Sequence, residues 1–125
     1  MAGSLSSDAI RAAESAAEIG IDPDRSYATF TDMATKEAAR ADGIEAVAIV
    51  TPNHMHAAPA ITFLEAGIHV ICDKPLAATM AQAEALQSAV TASTAHFFLT
   101  HNYTGYPLIR QAREMVANGA LGSLR

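Results

Sequence analysis

The chain has 125 residues, half of them hydrophobic, with no tryptophan and a single cysteine. That length fits one domain able to bury roughly two-thirds of its unfolded surface, and the composition is globular, not disordered. Eight basic and thirteen acidic residues leave a formal charge of −5 with no basic cluster, which argues against nucleic acid as a partner.

No apolar stretch approaches the ~20 residues that span a bilayer, so no membrane partner is expected. Met1 to Ser7 lacks the basic start and apolar run of a signal peptide. Cys72 sits inside an apolar run, has no second cysteine to pair with, and suits a reducing, cytoplasmic setting as a small buried hydrophobe.

Ser6, Ser7 and Asp8 offer N-caps for a helix over 9–19, with Gly20 placed to end it. Its apolar face is expected at Ile10, Ala13 and Ala17. A turn at 21–24 leads to a short strand over 27–30, then a helix over 32–40 closed by Asp42 and Gly43. The apolar run at 47–51 reads as a buried strand broken at Pro52-Asn53. A helix over 56–66 follows, with Pro59 in its first turn, where a missing amide does no harm, and Gly67 beyond its end. Residues 69–72 form the next apolar strand. Thr79 and Gln82 have capping-box spacing for a helix reaching 92, with Ala83, Leu86 and Val90 inward. A strand over 97–100 precedes His101-Asn102-Tyr103, and Pro107 opens a last helix, stopped at Asn118-Gly119.

Strand and helix in alternation imply an α/β fold with a doubly wound parallel sheet of the Rossmann type. The strands at 47–51 and 69–72 enclose one helix in a right-handed parallel unit, so their carboxyl ends point the same way. Ligands of such sheets bind beyond those ends. Asn53, His56 and Lys74 are therefore expected along one edge. A dinucleotide fold also starts with an apolar strand and a Gly-x-Gly-x-x-Gly turn, and neither is present. Met1 to Leu5 reads as the tail of a second strand.

Three motifs now carry a likeness. Thr51-Pro52-Asn53 followed by His56, then Cys72-Asp73-Lys74-Pro75-Leu76, then His101-Asn102-Tyr103 before a helix ending Asn118-Gly119-Ala120-Leu121-Gly122, resembles the NAD(P)-dependent oxidoreductases of the glucose–fructose oxidoreductase and inositol dehydrogenase family (Gfo/Idh/MocA). The resemblance implies an incomplete NAD(P)-binding Rossmann domain at 1–120, without its first strand and glycine loop. It also implies that 121–125 leads into an absent C-terminal α/β domain, which in the family shapes the substrate site and often a homo-oligomer. The implied activity is hydride transfer between a nicotinamide dinucleotide and a sugar, polyol or related hydroxyl compound. The alternative is a non-catalytic fragment or protein-interaction domain that keeps half of a nucleotide crevice.

The resemblance assigns Lys74 the substrate hydroxyl and the nicotinamide; an ammonium at a strand end can hydrogen-bond the reacting oxygen. Taken alone, Lys74 reads more simply as a surface lysine at a turn; its place between an apolar strand and a proline, within the three motifs, reverses that preference. Asp73 replaces the family's glutamate, one methylene shorter, and Pro75 is expected to carry the family's cis peptide. Thr51, Pro52, Asn53 and His56 are placed against the ribose and nicotinamide, although a helix-start histidine bonded to backbone explains His56 as well. Asn102 and Tyr103 match the family's pair near nicotinamide and substrate, against the plainer reading of a polar strand-to-helix loop. Ser6 and Ser7, with Arg11 one turn on, fall where the adenosine ribose is read, which tilts the cofactor from NAD towards NADP; they also serve as ordinary helix caps. His54 and His56 have no third or fourth partner at fitting spacing, so no metal site is expected.

Overall fold

The computed structural model describes residues 1–123, so Leu124 and Arg125, the end of the expected lead-in at 121–125, lie outside the described residues. Among the described residues two helices, α1 (Ala9–Glu18) and α2 (Phe30–Ala38), precede an alternating run of β1 (Ala46–Ile49), α3 (Ala57–Glu65), β2 (His69–Cys72), α4 (Met80–Ala92), β3 (Phe97–Leu99) and α5 (Pro107–Ala117). The strands form a parallel sheet in the order β1-β2-β3. This is the Rossmann-type α/β arrangement that the alternation implies.

Local chemistry fixes most boundaries. The Asp8 carboxylate accepts from the Arg11 amide to start α1, and Gly20 takes φ +73° past its end, a conformation that costs glycine least. Thr79 Oγ1 accepts from the Gln82 amide, and the Gln82 side chain reaches back to accept from the Ala78 amide, one residue before the cap, a near variant of the capping box at the start of α4.

Register decides which residues share a face. Val47, Val70 and Phe97 are aligned, as are Ile49, Cys72 and Leu99. These two rows point to the core, where Ile49, Val70 and Cys72 meet Phe63 and Leu64 of α3 and Leu86 of α4. The intervening row, Ala48, Ile71 and Phe98, faces the other way, and Phe98 is 56% exposed. α3 and α4 pack on each other, and α3 also contacts α2. Helix α5 is exposed along its whole length.

Two local expectations fail. Residues 27–30 do not form a strand: Gly3 and Ser26 make one isolated parallel bridge, flanked by bonds from Gly3 N to Arg25 O and from Tyr27 N to Gly3 O. Thr29 then caps α2 by accepting from the Asp32 amide, so Phe30 begins a helix. The tail at 1–5 does meet that bridge, as a strand remnant would. On α1 the inward stripe is Ala12 and Ala16, while Ile10 is 74% exposed and Ala13 and Ala17 face outward. In a helix so rich in alanine two neighbouring stripes read as equally apolar, and packing chooses between them.

Candidate functional site

Parallel pairing brings the carboxyl ends of β1, β2 and β3 to one edge. Beyond β1, Pro52 starts a 3-10 turn, Asn53–Met55, tied by Met55 N to Pro52 O at 2.8 Å. Thr51, Pro52 and Asn53 are exposed there. Beyond β2 come Asp73, Lys74 and Pro75, also exposed, and the Lys74–Pro75 peptide is cis. Beyond β3, a second 3-10 turn, Asn102–Gly105, presents Asn102 and Tyr103.

Lys74 and Tyr103 come together across the ends of β2 and β3. The ammonium lies 6.0 Å from the centroid of the Tyr103 ring, at the outer reach of a cation–π contact. Tyr103 is braced in turn by an edge-on Tyr106, with ring centroids 5.6 Å apart. A cation, a phenol and an amide-bearing turn thus share a short stretch of exposed edge.

Asp73 does not turn to the Lys74 ammonium. Its Oδ1 accepts from Thr100 Oγ1 at 2.6 Å and from the Lys74 backbone amide at 2.9 Å. The carboxylate therefore joins the end of β2 to the end of β3, and these two bonds, the Thr100 hydroxyl first, hold it below the usual carboxylate range. Thr100 escaped the sequence reading. The available signal was its place as the polar residue closing an apolar strand, one step beyond the Cys72–Leu99 pair.

His56 lies beneath this edge and is 1% exposed. Its Nε2 is 2.7 Å from the Thr51 carbonyl oxygen and its Nδ1 is 2.8 Å from that of Pro75. Both ring nitrogens are thus engaged by backbone, and neither is free for a ligand. His54 is exposed, and among the described residues no group of three His, Cys, Asp or Glu gathers as metal ligands would. Cys72 is fully buried, and desolvation raises its thiol above the ordinary range, which keeps it protonated.

Ser6, Ser7 and Arg11 stand apart from the Lys74 group. Ser6 Oγ accepts from the Asp8 amide, and Ser6 and Ser7 border a largely apolar cavity of about 360 Å³ beside Ala12, Ala16, Ile21 and Tyr27. Among the described residues no hydrogen bond or ion pair links them to the edge at Lys74. The described residues contain no helix long and apolar enough to cross a membrane.

A second polar cluster, invisible in the sequence, organises the opposite flank. The Glu37 carboxylate is buried and accepts from Arg25 Nε at 3.0 Å, from a second Arg25 nitrogen, from the Tyr27 hydroxyl at 2.6 Å and from the Ile44 amide at 3.1 Å. Arg25 is the main cause of its depressed pKa. Burial and the same carboxylate push the Tyr27 phenol up.

Comparison with known proteins identifies the family of the fold. A family described as "Oxidoreductase family, NAD-binding Rossmann fold" matches residues 1–103. An uncharacterized oxidoreductase of Bacillus subtilis is 36% identical over 124 residues, which is 99% of this chain and 32% of that protein. The crystal structure of an oxidoreductase from Sinorhizobium meliloti superposes with a TM-score of 0.89 at 58% identity, covering all of this chain and 35% of that one. An inositol dehydrogenase homologue from Azotobacter vinelandii, solved with NADH and myo-inositol, gives 0.91 at 42% identity over all of this chain and 33% of its own. The chain spans about a third of the length of these relatives.

Proposed function

Because the chain belongs to the Gfo/Idh/MocA oxidoreductase family with its NAD-binding Rossmann fold, we propose that it forms one wall of a nicotinamide site. The whole enzyme would transfer a hydride between NAD(P) and a sugar, polyol or related hydroxyl compound. The observation that carries this reading is the approach of Lys74 and Tyr103 across the carboxyl ends of two parallel strands, where sheets of this class take their ligands.

The residues suit the nicotinamide and ribose half of such a cofactor: Thr51, Pro52 and Asn53 on one side, Lys74 between, Asn102 and Tyr103 on the other. A bound nicotinamide supplies or accepts the hydride. In the direction of carbonyl reduction, Lys74 donates a hydrogen bond to the carbonyl oxygen, stabilises the negative charge that builds there, and delivers the proton that completes the alcohol. Asp73 holds the Lys74 backbone through its 2.9 Å bond and leaves the ammonium to the substrate. Tyr103 and Asn102 orient hydroxyl groups.

Residues 1–120 would be part of a Rossmann domain and 121–125 the lead-in to a substrate domain that builds the remaining walls and an oligomer. A reducing, cytoplasmic setting fits the buried thiol of Cys72. Cofactor choice would lean towards NADP, or towards accepting both forms, because Ser6, Ser7 and Arg11 open α1 while the nearby acid, Asp8, is occupied in capping that helix. The pyrophosphate is normally gripped by a glycine-rich turn at a helix N-terminus, and the sequence has none. The 125-residue chain alone should accordingly show no saturable micromolar binding of NADH or NADPH by fluorescence titration. Extended in frame by its own flanking coding sequence, it should reduce a nicotinamide with some polyol or sugar, with NADP used at least as well as NAD. Lys74→Ala should cut that turnover by about 100-fold or more. Undiminished turnover in Lys74→Ala would refute the role of the lysine.

A further inference from the structure

We propose that His56 is a positioning residue, an imidazolium with a hydrogen on each nitrogen, whose two N–H groups tie the loop after β1 to the loop after β2. The idea rests on the reading of this edge as a nicotinamide site, because the two loops tied together carry Asn53 and Lys74.

The argument is one of donors and acceptors. Backbone carbonyl oxygens only accept, and both nitrogens of His56 face one, at 2.7 Å to Thr51 and 2.8 Å to Pro75. A neutral imidazole has one N–H and one lone pair, so either tautomer would set a lone pair against a carbonyl lone pair at hydrogen-bond distance. Turning the ring over would put carbons where the nitrogens stand and lose both bonds. With the ring 1% exposed, such a lone-pair clash is costly. Only the doubly protonated ring donates to both.

A buried cation needs a nearby anion, and the facing element provides one. Asp73, two residues before Pro75, is held ionised by the Thr100 hydroxyl and by the Lys74 amide. Lys74 is the other charged group on that strand end, and His54 is exposed on the near side. The clamp grips Thr51, which directly precedes Pro52-Asn53, and Pro75, which directly follows Lys74. His56 thereby sets the width of the crevice from below without touching its contents.

The test uses the 125-residue chain labelled with nitrogen-15 at neutral pH. A long-range proton–nitrogen spectrum should show both His56 nitrogens protonated, with ring N–H exchange slower than at the other histidines. His69 serves as the internal contrast, because its Nδ1 accepts from the His96 amide and must appear unprotonated. In His56→Gln, whose single amide nitrogen cannot occupy both ring-nitrogen positions at once, the amide signals of Asn53 and Lys74 should both move. A His56 ring with one unprotonated nitrogen overturns the proposal, as does a Gln variant in which only one loop responds. If His56→Gln does not fold, the ring spectrum of the unaltered chain decides. Failure of the extended protein to use any nicotinamide would sink the functional reading and leave the ring result standing.

Discussion

Glu37 and His56 are the two polar side chains buried among the described residues, and they resolve burial by opposite means. Glu37 is an anion surrounded by donors: Arg25, Tyr27 and the Ile44 amide. His56 is a donor surrounded by acceptors. The first joins α2 to the chain segments on either side of it and holds scaffold together. The second joins two loops at the sheet's ligand edge and holds a site open at fixed width. A buried polar group thus specifies geometry in both corners, but only one lies where chemistry is expected.

The largest effect should come from breaking the scaffold corner. Glu37→Ala leaves Arg25, Tyr27 and the Ile44 amide without their acceptor, and urea denaturation should show a loss of about 3–5 kcal/mol. A loss below 1 kcal/mol would mean that the network is ornamental. Next comes Gly43→Ala: a Cβ there would stand 2.0 Å from the Glu37 carbonyl oxygen, so the backbone must move. About 1–3 kcal/mol is expected from such crowding, readable in the same denaturation curves.

Acid should probe the same corner. The folded pKa of Glu37 is depressed, chiefly by Arg25, so its contribution is fully present above the unfolded value of about 4.3. That contribution is lost as pH falls through the lower folded value. The denaturation midpoint should therefore decline across and below the ordinary carboxylate range, and Glu37→Gln should flatten that part of the curve.

The ligand edge should respond more gently in stability and more sharply in titration. Thr100→Val removes the 2.6 Å bond to Asp73, and nitrogen and carbon NMR titration should find the Asp73 carboxylate moved up towards its ordinary range with the fold retained. Thr100→Ser should restore it. The smallest effect belongs to Arg40→Ala, which breaks the exposed 2.9 Å pair with Asp42 and should leave the denaturation midpoint where it was.

The legible parts of the chain were those written in local chemistry. The β2 strand, the capping box at Thr79 and Gln82, Pro59 in the first turn of α3, and glycines past helix ends all depend on residues a few positions apart, so the sequence carries them. The alanine stripe of α1 was not legible, because near-identical side chains leave the choice of face to the neighbours. Residues 27–30 misled for a related reason: β-type residues won no ladder beyond a single bridge, and Thr29 spent its hydroxyl on capping a helix.

At the site, the motif residues read as a line of polar groups after three strands, and the parallel register carried Asn53, Lys74, Asn102 and Tyr103 to one edge. What the sequence by itself determined was this convergence, because strand order and direction follow from apolar runs separated by helices. What only the tertiary structure decided was the partner of each polar atom. Asp73 chose Thr100, Glu37 chose Arg25 and Tyr27, and His56 took two carbonyls in place of an open crevice. Hydrogen bonds between residues 10 to 27 positions apart depend on where packed elements bring their ends, and no local pattern encodes that distance.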